Sequence, residues 1–205
     1  MARPQAFERE LRIATQGLQP EAISKLLAQT ARRALADAIS SGEAPRSYVR
    51  AVNGRIGVSE DQVIPPGPIV YNFNFLPDVI VYGQAFFRER APVKSGAYRD
   101  SLIVLVNGAQ VRAFNNIPLD AEVILVPTVP YSRKIEVGSM VMRVPAGVIE
   151  DTRQAVMRRF GDVIVAQKRF ISLAGAYTLR RGNRRKDRTT GKQLLYPALV
   201  VAMRF

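Results

Sequence analysis

Asp61, Asp78, Asp100, Glu136 and Asp151 are the carboxylates this chain could set to proton transfer, a task that needs two acids close enough to hold different protonation states. No two of them share a short motif, and carboxylates scattered over a basic protein are ordinarily solvated. Ser24-Lys25 and Ser132 near Lys134 pair a hydroxyl with an amine, but neither sits in a strained elbow or beside an oxyanion frame. Thr190-Gly191-Lys192 has the ending of a phosphate loop. The glycine five residues before Gly191 is missing, however, and Gln193 stands where a hydroxyl should hold magnesium. The chain contains no histidine and no cysteine. Those absences remove the Ser-His-Asp triad, the histidine base, thiolate chemistry, disulfides and the usual transition-metal ligands. The expectation is a protein that is not an enzyme, with no catalytic residue, metal or cofactor.

Charge is the stronger signal. The formal net charge is +13, which implies an acidic neighbour such as nucleic acid or an acidic protein surface. The run RRGNRRKDRTTGK concentrates it, with Arg180, Arg181, Arg184, Arg185, Lys186, Arg188 and Lys192. These seven bases face one acid, Asp187, so the run supplies +6 of the +13. A basic block of this kind is commonly a solvated segment; its functional reading is contact with phosphates or with an acidic subunit. No aromatic side chain is interleaved for base stacking, so sequence-specific readout is not expected. A membrane partner is not expected either, because no basic helix carries aromatic anchors and no apolar run is long enough to cross a bilayer. The N-terminus, MARPQAFERELR, lacks an apolar signal core, and the expectation is a soluble chain made in a cytoplasm.

The elements that must position these groups follow from periodicity. Ile23, Leu26, Leu27, Ala31, Ala34, Leu35, Ala38 and Ile39 recur at helical spacing, predicting a helix over 20–41 that opens on Pro20 and stops at Gly42. A shorter helix is expected at 5–16. The stretch 43–68 is mixed, ends in Pro65-Pro66-Gly67-Pro68 and reads as a linker. A strand is expected at 69–75 and a helix at 77–90. Strands at 102–106 and 111–114 flank Asn107-Gly108, the dipeptide that best fits a type I′ hairpin. A strand at 122–126, a helix at 146–160 and two strands at 163–173 and 194–205 complete the pattern. The fold class is α+β: an antiparallel sheet with helices packed on it, an N-terminal helical region and an extended C-terminal hairpin. The division expected is 1–68, helical region and linker, and 69–205, core domain with a long basic loop at 174–193.

Two segments carry a resemblance. In APVKSGAYRDSL, Pro92 ends the upstream helix at Ala91, Ser95 offers a hydroxyl to nearby backbone, Gly96 is free to take positive φ, and Ser101 opens an apolar, β-branched run. Downstream, YSRKIEVG places Tyr131 and Ser132 before an apolar-Glu-apolar-Gly ending at Glu136 and Gly138. In this order the pair, spanning Leu76 to Val148, resembles the head-tail connector and tail-completion proteins of the tailed-bacteriophage neck. Ser95, Lys94 and Val137 depart from the commoner residues there. The resemblance implies a structural virion protein, assembled in the bacterial host cytoplasm as a homo-oligomeric ring that joins head to tail and continues the DNA channel. Its partners would be portal or adaptor and tail proteins, with non-specific DNA contact in the channel. Ala91, Pro92, Ser95, Gly96, Ser101, Tyr131, Glu136 and Gly138 would be structural signature positions, with Glu136 in an ion pair to a neighbouring subunit's arginine or in a local role. Lys94 and Tyr98 would be where contacts particular to this protein lie. The alternative reading is a basic nucleic-acid-binding or DNA-packaging protein working through the 180–192 run.

Overall fold

The computed structural model describes residues 19–139, 146–173, 175 and 193–205. The helix expected at 5–16 and the whole basic run 180–192 lie outside the described residues. The chain forms two compact units, Met1–Asn74 and Phe75–Phe205.

In the first unit, α1 (Pro20–Ser40) begins with proline at its first turn and ends against Gly42, at φ 79°. The stretch read as a linker is structured instead. It holds β1 (Tyr48–Val52), β2 (Arg55–Ile56) and a 3₁₀ turn at Glu60–Gln62. With β3 (Ile69–Phe73) these make a three-stranded antiparallel sheet in the order β2-β1-β3. Asn53 and Gly54, both at positive φ, close the β1–β2 hairpin. One carboxylate pins the unit. Buried Glu60 accepts two bonds from Arg50 Nη1, both at 2.9 Å, and one from the Tyr71 hydroxyl at 2.9 Å. Burial pushes the Glu60 carboxyl up, but a bond from its own backbone amide, together with those from Arg50 and Tyr71, outweighs this and holds it below its ordinary value. Arg32 of α1 reaches both Glu60 and Asp61.

The second unit contains the five-stranded antiparallel sheet β5-β4-β6-β8-β7. Its elements are α2 (Leu76–Arg90), α3 (Ala97–Asp100), β4 (Leu102–Val106), β5 (Ala109–Val111), β6 (Val123–Pro127), α4 (Ser132–Glu136), α5 (Val148–Phe160), β7 (Ile164–Ile171) and β8 (Tyr196–Met203). The expected fold class is therefore the observed one. Val79, Ile80 and Phe87 of α2 and Ile149 and Val156 of α5 share one core with Val104, Leu125, Ile164, Leu199 and Val201 of the sheet. Gly83 lets the helix come close: a Cβ there would stand 3.2 Å from Leu125 Cδ2 and 3.6 Å from Val156 Cγ2. The opposite sheet face is apolar too, with Val126, Leu194, Tyr196 and Ala198 buried beside Ile103, Leu105 and Ile124.

The register explains where pairing stops. β6 and β8 pair at Val123↔Val201 and Leu125↔Leu199. Continued by two residues, that register sets Pro127 opposite Pro197, where neither residue has an N–H to give, and the ladder ends. The β4–β5 hairpin corrects an expectation in detail. Asn107 and Gly108 take the positive φ of a two-residue turn, so the partner strand starts at once, with Val106↔Ala109 and Val104↔Val111. The strand is 109–111 rather than 111–114.

Candidate functional site

The first motif segment turns as its residues dictate, with one added turn of helix. Ala91 leaves the helical region at φ −66°, ψ 137° while its N–H still donates to Phe87 C=O at 2.8 Å. Ser95 Oγ accepts the Ala97 N–H at 3.5 Å, and Gly96 takes φ 76°. The chain then makes α3 before the strand begins, where direct entry into β4 was expected. Ser101 closes α3 by donating its hydroxyl to Tyr98 C=O at 2.8 Å.

Tyr98 is not a surface contact residue. It is buried, and its ring lies against Phe87 with centroids 5.2 Å apart. Its hydroxyl has no hydrogen-bond partner among the described residues. Burial pushes its pKa well above the ordinary phenol value, and the negative charge of Glu136 and the nearby Tyr131 add to the shift. Lys94, by contrast, is exposed.

The second motif segment arrives at the same end of the sheet. β4 begins where β6 ends, with Leu102↔Pro127, and Thr128 clips the two segments together by donating both its N–H and its Oγ1 to Ser101 C=O, each at 3.1 Å. Tyr131 then precedes the single turn of α4, and Gly138 takes φ 70° in a space where a Cβ would meet Ala146 Cβ at 3.3 Å. Glu136 faces inward. Its carboxylate accepts the Ile149 N–H at 2.9 Å and the Glu150 N–H at 3.2 Å, so it caps α5 from outside the helix. That helix starts at Gly147, which has no side chain to cap it, and the buried amides of its first turn need an acceptor from elsewhere.

Lys168 of β7 completes the arrangement, its ammonium 3.3 Å from Glu136 and 3.6 Å from Glu150. Arg153 holds the Glu150 carboxylate at 2.6 Å and, with Gln154 and Lys168, brings its pKa down to about 2 against the opposing effect of burial. Lys168, Arg153, Thr128 and the Ile149 amide were not singled out from the sequence. The signal available was the start of α5, PAGVIED, which offers no Ser, Thr, Asp or Asn at the capping position.

The other groups considered for chemistry are dispersed. Asp61 pairs with Arg32, Asp100 with Arg99 at 3.1 Å, and Asp151 with Arg90 at 2.7 Å, while Asp78 lies in the first turn of α2. Ser24 Oγ donates to Pro20 C=O, and Ser132 is fully buried with no partner for its hydroxyl among the described residues. Among the described residues no group of three or more acidic side chains could hold a metal, and no helix is long and apolar enough to cross a membrane. Comparison with family models, curated proteins and solved structures gave no match to this chain.

Proposed function

We propose that this chain is a non-enzymatic structural protein of the tailed-phage neck, assembling as a ring between head and tail and continuing the DNA channel. The observation that carries the reading is the meeting of the two motif segments. Ser101 of the first and the approach to Tyr131 of the second are clipped through Thr128, and Glu136 ends the second by capping α5. These residues hold the corner together through hydrogen bonds, as signature positions of an assembly fold should. Identical subunits joined head to tail close into a ring when the rotation permits. Portal or adaptor and tail proteins are the partners proposed, with DNA in the channel contacted non-specifically. The test is in particles: the protein should be present in purified virions, and its loss should leave filled heads without tails. Normal tailed particles lacking the protein would overturn the reading.

A second reading, a basic nucleic-acid-binding or packaging protein, is favoured by the +6 concentrated at 180–192 between β7 and β8. It expects steeply salt-dependent DNA binding that is lost when Arg184, Arg185 and Lys186 are changed together to alanine.

A further inference from the structure

β7 is an edge strand, and its register decides which of its backbone groups are used. The Arg204 N–H donates to Val163 C=O at 2.9 Å, one step beyond the pair Ile164↔Met203. Bonded and non-bonded pairs alternate along an antiparallel ladder. Val165, Gln167, Arg169 and Ile171 therefore bond to β8, and Ile164, Ala166, Lys168 and Phe170 turn their N–H and C=O away from it. Ile164 and Ala166 are buried, whereas Lys168 and Phe170 are exposed. The open edge is thus two donors and two acceptors, spaced as a strand would pair with them, and no strand among the described residues does so.

A lysine on an edge strand usually guards it against pairing. Lys168 is not placed for that, because its ammonium is drawn under the sheet to Glu136 and Glu150. What remains at the edge is cationic on both faces. On the helix side the Arg133 guanidinium lies 5.0 Å over the Phe170 ring. On the other side Arg169 is held by Gln167 Oε1 at 2.8 Å. Neither arginine has a carboxylate partner among the described residues, and β7 itself carries no acid.

We propose that the Lys168–Phe170 edge of β7 receives an extended acidic segment of a partner protein as an added strand. Two consecutive carboxylates of that segment, one on each face, would meet Arg169 and Arg133. Backbone pairing supplies the docking and the two arginines select for acid. The inference stands independently of the ring reading: it uses Glu136 and Arg133 of the second motif segment only for where their side chains lie, and it invokes no oligomer.

The test uses the full chain and a capped hexapeptide, Val-Thr-Glu-Glu-Thr-Val, followed by fluorescence anisotropy and by residue-resolved hydrogen exchange. The peptide should bind and slow exchange of the Lys168 and Phe170 amides. Methylating its two glutamate nitrogens should abolish binding, and R133A/R169A, both at exposed positions, should weaken it about tenfold. Equal binding of a control peptide with both glutamates replaced by lysine, protection elsewhere without protection at 168 and 170, or unchanged affinity in the double variant would overturn the proposal. So would protection of those amides in the peptide-free protein that rises with its concentration, which would assign the edge to a second copy.

Discussion

The Glu136 carboxylate accepts the Ile149 amide at 2.9 Å, so a residue of one single-turn helix caps the start of another helix thirteen positions later. The bond closes the chain between α4 and α5 and places a full negative charge at the positive end of α5. Lys168 then balances two acids from the neighbouring strand.

Replacing Glu136 by alanine removes an N-terminal cap and leaves Lys168 with one acid in place of two. The expected loss is about 2–3 kcal/mol in urea unfolding, from the cap and the charge-assisted bonds together. Glu136→Gln, which keeps one acceptor oxygen, should lose less. Equal losses from the two variants would show that the carboxylate charge and both its acceptors matter, and no loss from either would contradict the capping role.

Acid should weaken the same corner. The Glu150 carboxyl lies at about 2 in the folded chain against an ordinary 4.5, because Arg153 and its neighbours favour the ionised form. The folded state therefore binds this proton less readily than the unfolded one. Its contribution is fully present above about 4.5 and is lost as pH falls through 2. Glu150→Gln should flatten the stability profile across that window; a profile unchanged from the parent's would refute the assignment.

Tyr98→Phe deletes a buried hydroxyl that has no hydrogen-bond partner among the described residues. Unfolding measurements should find the variant as stable as the parent or more stable, by up to about 1 kcal/mol. Tyr98→Ala opens a cavity against Phe87 and should cost about 3–5 kcal/mol. A marked loss from the phenylalanine variant would mean that the hydroxyl is bonded in solution.

Gly96 sits at φ 76°, where an alanine Cβ would also stand 3.1 Å from Asp100 Oδ2. Gly96→Ala should cost about 1–2 kcal/mol. Ser95→Ala breaks only a 3.5 Å contact at the limit of hydrogen bonding and should stay within about 0.5 kcal/mol. Reversal of that order would contradict the turn as described.

The parts of the fold that were readable from sequence are those that local rules control. The apolar stripe from Ile23 to Ile39 gave α1 to within a residue at its end. Asn107-Gly108 gave the hairpin, although the apolar pull of Val111–Phe114 drew the strand outward from where a two-residue turn must start it. The same dipeptide at Asn53-Gly54 passed unread, because Arg50 and Arg55 break the alternation around it and the prolines at 65–68 suggest a loop. The site was readable in part. Gly96 and Ser101 act locally, so their roles follow from their types. Glu136 acts on amides thirteen residues away and Lys168 reaches it from another strand, and no sequence period links those partners. Tyr98 was misplaced as a contact residue because a four-residue helix, too short to show periodicity, turns it into the core.

The proposed ring is the central claim, and native mass spectrometry of the purified full chain, alone and mixed with a portal or adaptor protein of the proposed kind, with class averages of the same sample by electron microscopy, tests it most directly. The account predicts a closed oligomer of fixed stoichiometry with rotational symmetry and a central opening. A strictly monomeric chain under both conditions would contradict it.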